Sequence, residues 1–117
     1  MAYAIAYYSK LGWTISIPLT DTQDYDLIVD TGSTLLKVQV KTTTCKSPAG
    51  NFQVNLKVTG GNRSGTGKVK TFDTNSSDLL FVMTEDFDFY SIPKSEITSK
   101  TSISLCEKYL PFRVSLV

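Results

Sequence analysis

The 117-residue sequence contains no histidine, and only two of its residues are cysteine, Cys45 and Cys106. The absence of histidine excludes serine–histidine triads, catalytic sites of the HNH type and zinc sites with histidine ligands. The two cysteines lack the Cys-x-x-Cys spacing of a metal site, and the sequence shows no sign of secretion. We therefore expect reduced thiols rather than a disulfide.

Long apolar runs are also missing, because no stretch approaches the length of a membrane span. The N-terminus lacks the basic-then-apolar layout of a signal peptide. We expect no membrane partner and a cytoplasmic protein. With 41% hydrophobic and 20% charged residues, the composition is typical of one globular domain, here residues 1–117.

Acidic residues are absent from residues 31–72, although the chain contains 11 acids. The same stretch carries seven positive charges: Lys37, Lys41, Lys46, Lys57, Arg63, Lys68 and Lys70. On a molecule of net charge +1, this distribution favours a nucleic-acid partner over a merely solvated basic surface. The glycine-rich residues 59–71 do not have P-loop spacing, and a basic loop that orders against phosphates fits them better. The residues expected to contact the nucleic-acid backbone and grooves are Lys57, Asn62, Arg63, Lys68 and Lys70.

Residues 25–44, YDLIVDTGSTLLKVQVKTTT, predict two strands joined by a tight turn at residues 31–33. A period of two places Gln39 and Lys41 on the same face of the return strand. Because the turn is short, the start of the first strand lies beside the end of the second. Asp26 should therefore meet Gln39 and Lys41 at one end of the sheet.

This combination of carboxylate, amide and amine suits metal-assisted hydrolysis of a phosphodiester. The Asp26 carboxylate, the Gln39 amide and the Val40 backbone carbonyl are hard oxygen ligands for Mg²⁺, which keeps much of its water shell. Lys41 would stabilise an attacking hydroxide or the charge that develops on the phosphate. We predict Asp26, Gln39 and Lys41 as catalytic residues, and we expect Mn²⁺ to substitute for Mg²⁺.

The remaining chain predicts an α/β domain with a mixed sheet and a few short helices. A first helix over residues 2–11 presents an apolar stripe of Ala4, Ile5, Tyr8 and Leu11. Further strands are expected over residues 13–17, 52–58, 78–84 and 87–92, a short helix from residue 94, and an edge strand within residues 109–117.

The motifs resemble those of the PD-(D/E)XK nuclease superfamily, whose site is a hairpin with Asp on one strand and (D/E)-x-K on the next. The similarity is greater to small Q-x-K members, which include homing endonucleases encoded in group I introns. The matching segments are LGW at 11–13, IP at 17–18, YDLIVD at 25–30, VQVKT at 38–42, DLLFV at 78–82 and FYSIP at 89–93.

The resemblance implies a restriction-endonuclease-like core and metal-dependent cleavage of double-stranded DNA, in a bacterial or phage-type setting. One chain supplies one site and a duplex has two strands, so we expect a homodimer or homotetramer. Family members commonly carry a helix glutamate at the metal site, whereas residues 1–11 contain no acid. That role is empty or falls to Asp24 or Asp30, and Gln39 lacks the charge of the usual acid.

Three alternatives remain open at the level of sequence. The first is a structure-selective nuclease of the Holliday-junction resolvase kind. The second is a nucleic-acid-binding module of the same fold that has lost its metal site, which the uncharged Gln39 favours. The third is a small β-rich protein whose basic loop binds another protein.

Overall fold

The structure is a computed structural model that describes residues 1–20, 24–56, 58–59, 69–70, 77–99 and 101–116. None of the helices in these ranges is long and apolar enough to cross a membrane. In chain order the elements are helix α1 (Ala2–Lys10), the strands β1 (Thr14–Ser16), β2 (Leu27–Asp30), β3 (Leu35–Thr43), β4 (Gln53–Asn55), β5 (Val58–Thr59), β6 (Val69–Lys70), β7 (Leu79–Thr84) and β8 (Phe89–Pro93), a 3₁₀ turn (Lys94–Glu96), β9 (Ser102–Ser104), a second 3₁₀ turn (Glu107–Phe112) and β10 (Arg113–Val114).

The main sheet has six strands in the order β1-β2-β3-β7-β8-β10. Adjacent strands in this sheet are antiparallel, except that β3 and β7 pair in parallel. The parallel pairing runs from Val38 opposite Leu79 to Thr43 opposite Thr84. A parallel pair requires a crossover, and here the crossover contains β4, β5 and β6. β4 pairs with β9, and β5 pairs with β6, in two small sheets. The predicted mixed sheet with few short helices is confirmed.

Helix α1 packs on one face of this sheet through Ala4 and Tyr8, which are fully buried. Their spacing of four residues places them on one side of the helix. The buried sheet residues of the same cluster are Leu27, Val29, Val38, Phe81 and Phe89. The prediction that Leu11 belongs to this stripe is wrong, since Leu11 is 45% exposed. The helix ends at Lys10, and Gly12, at φ 82°, redirects the chain toward β1.

The opposite face of the sheet is covered over only part of its width. A second core lies against β7 and β8 and consists of Phe52, Val54, Leu56, Leu80, Val82, Tyr90, Ile92, Ile97, Ile103, Leu105 and Tyr109. The β1–β3 part of this face has no such cover among the described residues. By register and alternation it presents the exposed residues Thr14, Ser16, Asp30, Leu35 and Lys37 with the half-buried Ile28, and we call this surface the open face.

The turn between β2 and β3 fixes how the two strands align. The Gly32 N–H donates to Asp30 Oδ1 at 2.8 Å, and the Thr31 N–H donates to the Thr34 carbonyl at 3.0 Å. Gly32 adopts φ 96°, a conformation that residues with a Cβ rarely adopt. The resulting register sets Leu27 opposite Val38, so a slip of one residue would turn every side chain of the hairpin to the other face.

Two other predicted strands differ in length from expectation. The strand predicted over residues 52–58 is interrupted after Asn55, where the Leu56 N–H donates to the Thr101 carbonyl at 2.8 Å. In the tail only Arg113–Val114 forms a strand, on the edge of the sheet beside β8. The thiols of Cys45 and Cys106 are free, as expected.

Asp78 joins three strands at the start of β7. Its Oδ2 accepts the Lys37 N–H of β3 at 2.9 Å, and its Oδ1 lies 3.2 Å from Lys94 Nζ after β8. The Asp78 N–H donates in turn to the Lys37 carbonyl at 2.7 Å. The Lys37 N–H, followed by the Lys94 ammonium, lowers the pKa of Asp78 below its ordinary value of 3.8, against an opposing effect of burial.

A lowered pKa in the folded protein means that Asp78 stabilises the fold above pH 3.8 and that this contribution is lost as the pH falls further. The Asp78→Asn variant should lose about 1 kcal/mol of unfolding free energy at pH 7, because the ion pair with Lys94 is partly exposed. Urea titrations at pH 7 and pH 3 should show this difference shrink in acid. Asp86→Asn is the control, since Asp86 is 61% exposed beside Lys46. An equal loss at both pH values would contradict the assignment.

Candidate functional site

Asp26 stands at the last hydrogen bond between β2 and β3. Its N–H donates to the Val38 carbonyl at 2.8 Å, and its Oδ2 accepts the Val40 N–H at 2.7 Å. The side chain therefore continues the ladder for one step beyond the backbone pairing, and the half-buried carboxylate is held against β3. The hydrogen bond to Oδ2 therefore fixes the orientation of the whole planar carboxylate, including Oδ1.

Gln39 lies on the face of β3 that continues from the open face. The pairing of β2 with β3 ends with Leu27 opposite Val38, so Asp26 and Gln39 are the next residues along the two segments. On its other side Gln39 pairs with Leu80 of β7, which belongs to the second core. Its side chain is only 9% exposed. A buried amide at this position supplies one carbonyl oxygen and two N–H donors at the edge of the covered core.

Lys41 follows two residues later on the same face and is half-buried. Burial lowers the pKa of the Lys41 ammonium, and the nearby Asp26 carboxylate partly opposes this effect by raising it. The opposing effect shows that Asp26 and Lys41 interact electrostatically. A partly desolvated ammonium acts more strongly on a neighbouring negative charge than a fully hydrated one does.

The Val40 carbonyl points toward the same end of β2. Within a strand, the N–H and C=O of one residue face the same neighbour. Because the Val40 N–H reaches Asp26, its carbonyl also faces the β2 side. Backbone pairing of β2 with β3 ends at Leu27 and Val38, so this carbonyl lies past the end of the ladder. The Val40 carbonyl is therefore a candidate oxygen ligand at this end of the hairpin.

The structure thus brings the predicted residues Asp26, Gln39 and Lys41 to one end of the hairpin, together with the Val40 carbonyl. One carboxylate, one amide and one backbone carbonyl form a set of hard oxygen donors that fits a divalent cation such as Mg²⁺. Within the described residues, no group of three or more His, Cys, Asp and Glu side chains comes together. Such a site would suit a cation that keeps most of its water ligands.

The two acids considered as replacements for a helix glutamate occupy different places. Asp30 lies at the far end of β2, about 13 Å from Asp26 at the rise of an extended strand, and its Oδ1 accepts the Gly32 N–H. It therefore does not reach the site. Asp24 is exposed and precedes Asp26 by two residues. Helix α1 packs on the opposite face of the sheet from Gln39.

The predicted DNA-binding residues are mostly outside the described residues, which applies to Lys57, Asn62, Arg63 and Lys68. Lys70 lies on β6, which pairs with β5 through Val58 opposite Lys70. The structure adds Lys37, Lys94 and Asp78, which sequence reasoning did not connect with the site. The alternation of β3 could have indicated Lys37, whereas the position of Lys94 depends on long-range pairing.

Comparisons with known proteins agree with this fold. The structure is similar to that of the bacterial homing endonuclease I-Ssp6803I, with 29% identity, a TM-score of 0.76, and coverage of 96% of this chain and 82% of that chain. It is also similar to the Holliday junction resolvase Hjc of Archaeoglobus fulgidus, with 11% identity, a TM-score of 0.59, and coverage of 99% and 96%. At 11% identity the second likeness shows the fold alone.

None of the curated proteins matches the sequence. The family model of PD-(D/E)XK endonucleases matches residues 1–109. This span includes the β2–β3 hairpin, the parallel β3–β7 pair and the residues of the second core. The protein belongs to the PD-(D/E)XK endonuclease family.

Proposed function

We propose that the protein is a Mg²⁺-dependent endodeoxyribonuclease that hydrolyses phosphodiester bonds at the Asp26, Gln39 and Lys41 site. The observation that carries the proposal is the 2.7 Å hydrogen bond from the Val40 N–H to Asp26 Oδ2. This bond fixes a carboxylate beside the Val40 backbone, and the half-buried Lys41 lies on the same face of β3 as Gln39. Mn²⁺ is expected to replace Mg²⁺.

Asp26, Gln39 and the Val40 carbonyl would hold the metal ion, which when bound polarises the phosphate and makes water a better nucleophile. Asp26 supplies the negative charge, and the hydrogen bond from the Val40 N–H holds its carboxylate in place. Lys41 donates N–H bonds to the attacking oxygen or to a non-bridging phosphate oxygen, where charge builds up in the transition state. Partial burial of Lys41 strengthens this interaction.

Double-stranded DNA is the substrate that we propose. The structure with 29% identity belongs to a homing endonuclease, and the acid-free stretch of residues 31–72 gives a polyanion a favourable surface. A DNA substrate also places the protein inside a cell. Because one chain holds one site, cleavage of both strands calls for a homodimer or homotetramer.

The direct test is incubation of the purified protein with supercoiled plasmid, with Mg²⁺, with Mn²⁺ and with a chelator. Nicked and linear products that depend on the metal support the proposal. The absence of cleavage under all three conditions, with duplex binding retained, would favour a binding module instead. A four-way junction beside linear duplex tests the resolvase alternative, because a structure-selective nuclease would cleave the junction preferentially.

Gln39→Glu is expected to strengthen the metal site, since a second carboxylate adds charge next to Asp26. Mn²⁺ titrated calorimetrically in the presence of DNA should bind about tenfold more tightly. Without metal, the variant should lose about 1–3 kcal/mol of unfolding free energy, because the new carboxylate is nearly buried. The control is Gln53→Glu on β4, where the side chain is exposed. Unchanged Mn²⁺ affinity in Gln39→Glu would place the amide outside the metal site.

A further inference from the structure

Lys37, Lys94 and the Asp78 carboxylate lie where β3, β7 and β8 meet, and this group flanks the proposed Asp26 site. Lys37 stands four residues before Lys41 on the same face of β3, and its side chain is exposed. Lys94 follows β8, and its side chain is 48% exposed. Asp78 connects them, because one carboxylate oxygen accepts the Lys37 N–H at 2.9 Å and the other lies 3.2 Å from Lys94 Nζ.

The Lys37 side chain extends toward the Asp26 end of the hairpin. Its Nζ lies 5.3 Å from the centroid of the Tyr25 ring, a distance at which a cation is attracted to the ring face. Tyr25 directly precedes Asp26, whereas the strand partner of Lys37 is Ile28. The side chain therefore extends along the hairpin toward the Asp26 end, and its charge is held above the open face.

Lys94 is held in place by backbone as well as by charge. Its N–H donates to the Asp78 carbonyl at 2.9 Å, and the 3₁₀ turn Lys94–Glu96 begins at this residue. Asp78 contributes one negative charge against two lysines, so the group keeps a net positive charge. One oxygen of that carboxylate accepts the Lys37 backbone N–H, and the other lies beside the Lys94 ammonium. A group of fixed position with surplus positive charge suits an anion with several acceptor oxygens.

We propose that Lys37 and Lys94 form a subsite for a non-reacting phosphate of the DNA strand that is cut. The inference rests on the proposed function of the Asp26 site. The Lys37 and Lys41 backbones are separated by about 13 Å of extended strand, and the Lys37 side chain extends toward the site, so the bound phosphate lies within about four nucleotides of the reacting one. The subsite contributes binding energy to the strand beside the site, and Asp78 holds the Lys94 ammonium in place.

The test compares Lys37→Gln and Lys94→Gln with Lys108→Gln. Lys108 is the matched control, because it is exposed and its Nζ also lies 5.3 Å from a tyrosine ring, that of Tyr109, over the covered part of the sheet. Each subsite variant should weaken duplex binding about five- to tenfold and lower the salt dependence by about 0.9 in log–log slope. The rate at saturating DNA should stay within about twofold, since uniform binding is lost.

A second arm changes the DNA as well as the protein. Uncharged methylphosphonates placed one at a time along the cut strand should locate a position within about four nucleotides of the cut where wild-type binding weakens as much as in Lys37→Gln. The same substitution should add little to Lys37→Gln itself, as expected for one shared contact. Thermal unfolding of each variant verifies that the fold is retained.

The outcomes separate the two proposals. If wild-type protein cleaves DNA but the subsite variants match Lys108→Gln and no methylphosphonate position is sensitive, the subsite is overturned and the proposed function stands. If wild-type protein neither binds nor cleaves duplex or junction, the proposed function fails and the subsite fails with it. A sensitive position that loses its effect in Lys37→Gln establishes the contact.

Discussion

The Lys41→Ala and Asp26→Asn variants are each expected to cleave plasmid DNA about 10²- to 10⁴-fold more slowly than the wild type. Lys41 supplies positive charge where negative charge develops, and Asp26 supplies the only charged ligand of the proposed metal donor set. Asparagine keeps an oxygen that can accept the Val40 N–H, so Asp26→Asn removes charge while preserving the ladder. The measurement is single-turnover cleavage of a plasmid with saturating Mg²⁺.

The same pair of variants carries an internal cross-check. Burial lowers the pKa of Lys41 and the Asp26 carboxylate opposes it, so Asp26→Asn should lower that pKa further. NMR titration of the lysine side chain reports this change independently of cleavage. Lys108→Ala is the control for charge loss at a distance. Wild-type cleavage rates in either site variant would exclude the Asp26 and Lys41 assignment.

Tyr8→Ala is expected to be the most destabilising single substitution in the core between α1 and the sheet, with a loss of about 3–5 kcal/mol of unfolding free energy. Tyr8 is fully buried, stacks on Trp13 with ring centroids 5.6 Å apart, and its hydroxyl lies 2.8 Å from Ser91 Oγ of β8. Truncation would leave a cavity beneath Phe81, in a domain whose total stability is about 5–15 kcal/mol. Urea unfolding measures the loss.

Tyr8→Phe separates packing from the hydroxyl. It keeps the ring and removes only the bond to Ser91, so a loss of about 1 kcal/mol is expected. Tyr3→Phe is the matched control on the same helix, because the Tyr3 side chain is 41% exposed. If Tyr8→Ala costs no more than Tyr8→Phe, the aromatic packing between α1 and the sheet does not stabilise the protein as described.

The hairpin was predictable because everything that determines it is local. Alternation along residues 35–41 and the turn at Gly32 set which face Gln39 and Lys41 occupy, and no distant contact is needed. Leu11 was wrongly assigned to the core because periodicity does not show where a helix ends against a sheet. The roles of Asp78 and Lys94 depend on the parallel β3–β7 pair, which joins segments far apart in sequence.

The short linkage between Asp26 and Val40 also has a kinetic consequence. Contacts that close a small loop form with little entropy loss, and hairpins form within microseconds, whereas a parallel pair waits for a long crossover to close. The donors of the site all lie within one hairpin. In the folding order that we expect from this, the geometry of the proposed site forms early, and β7 pairs with β3 later.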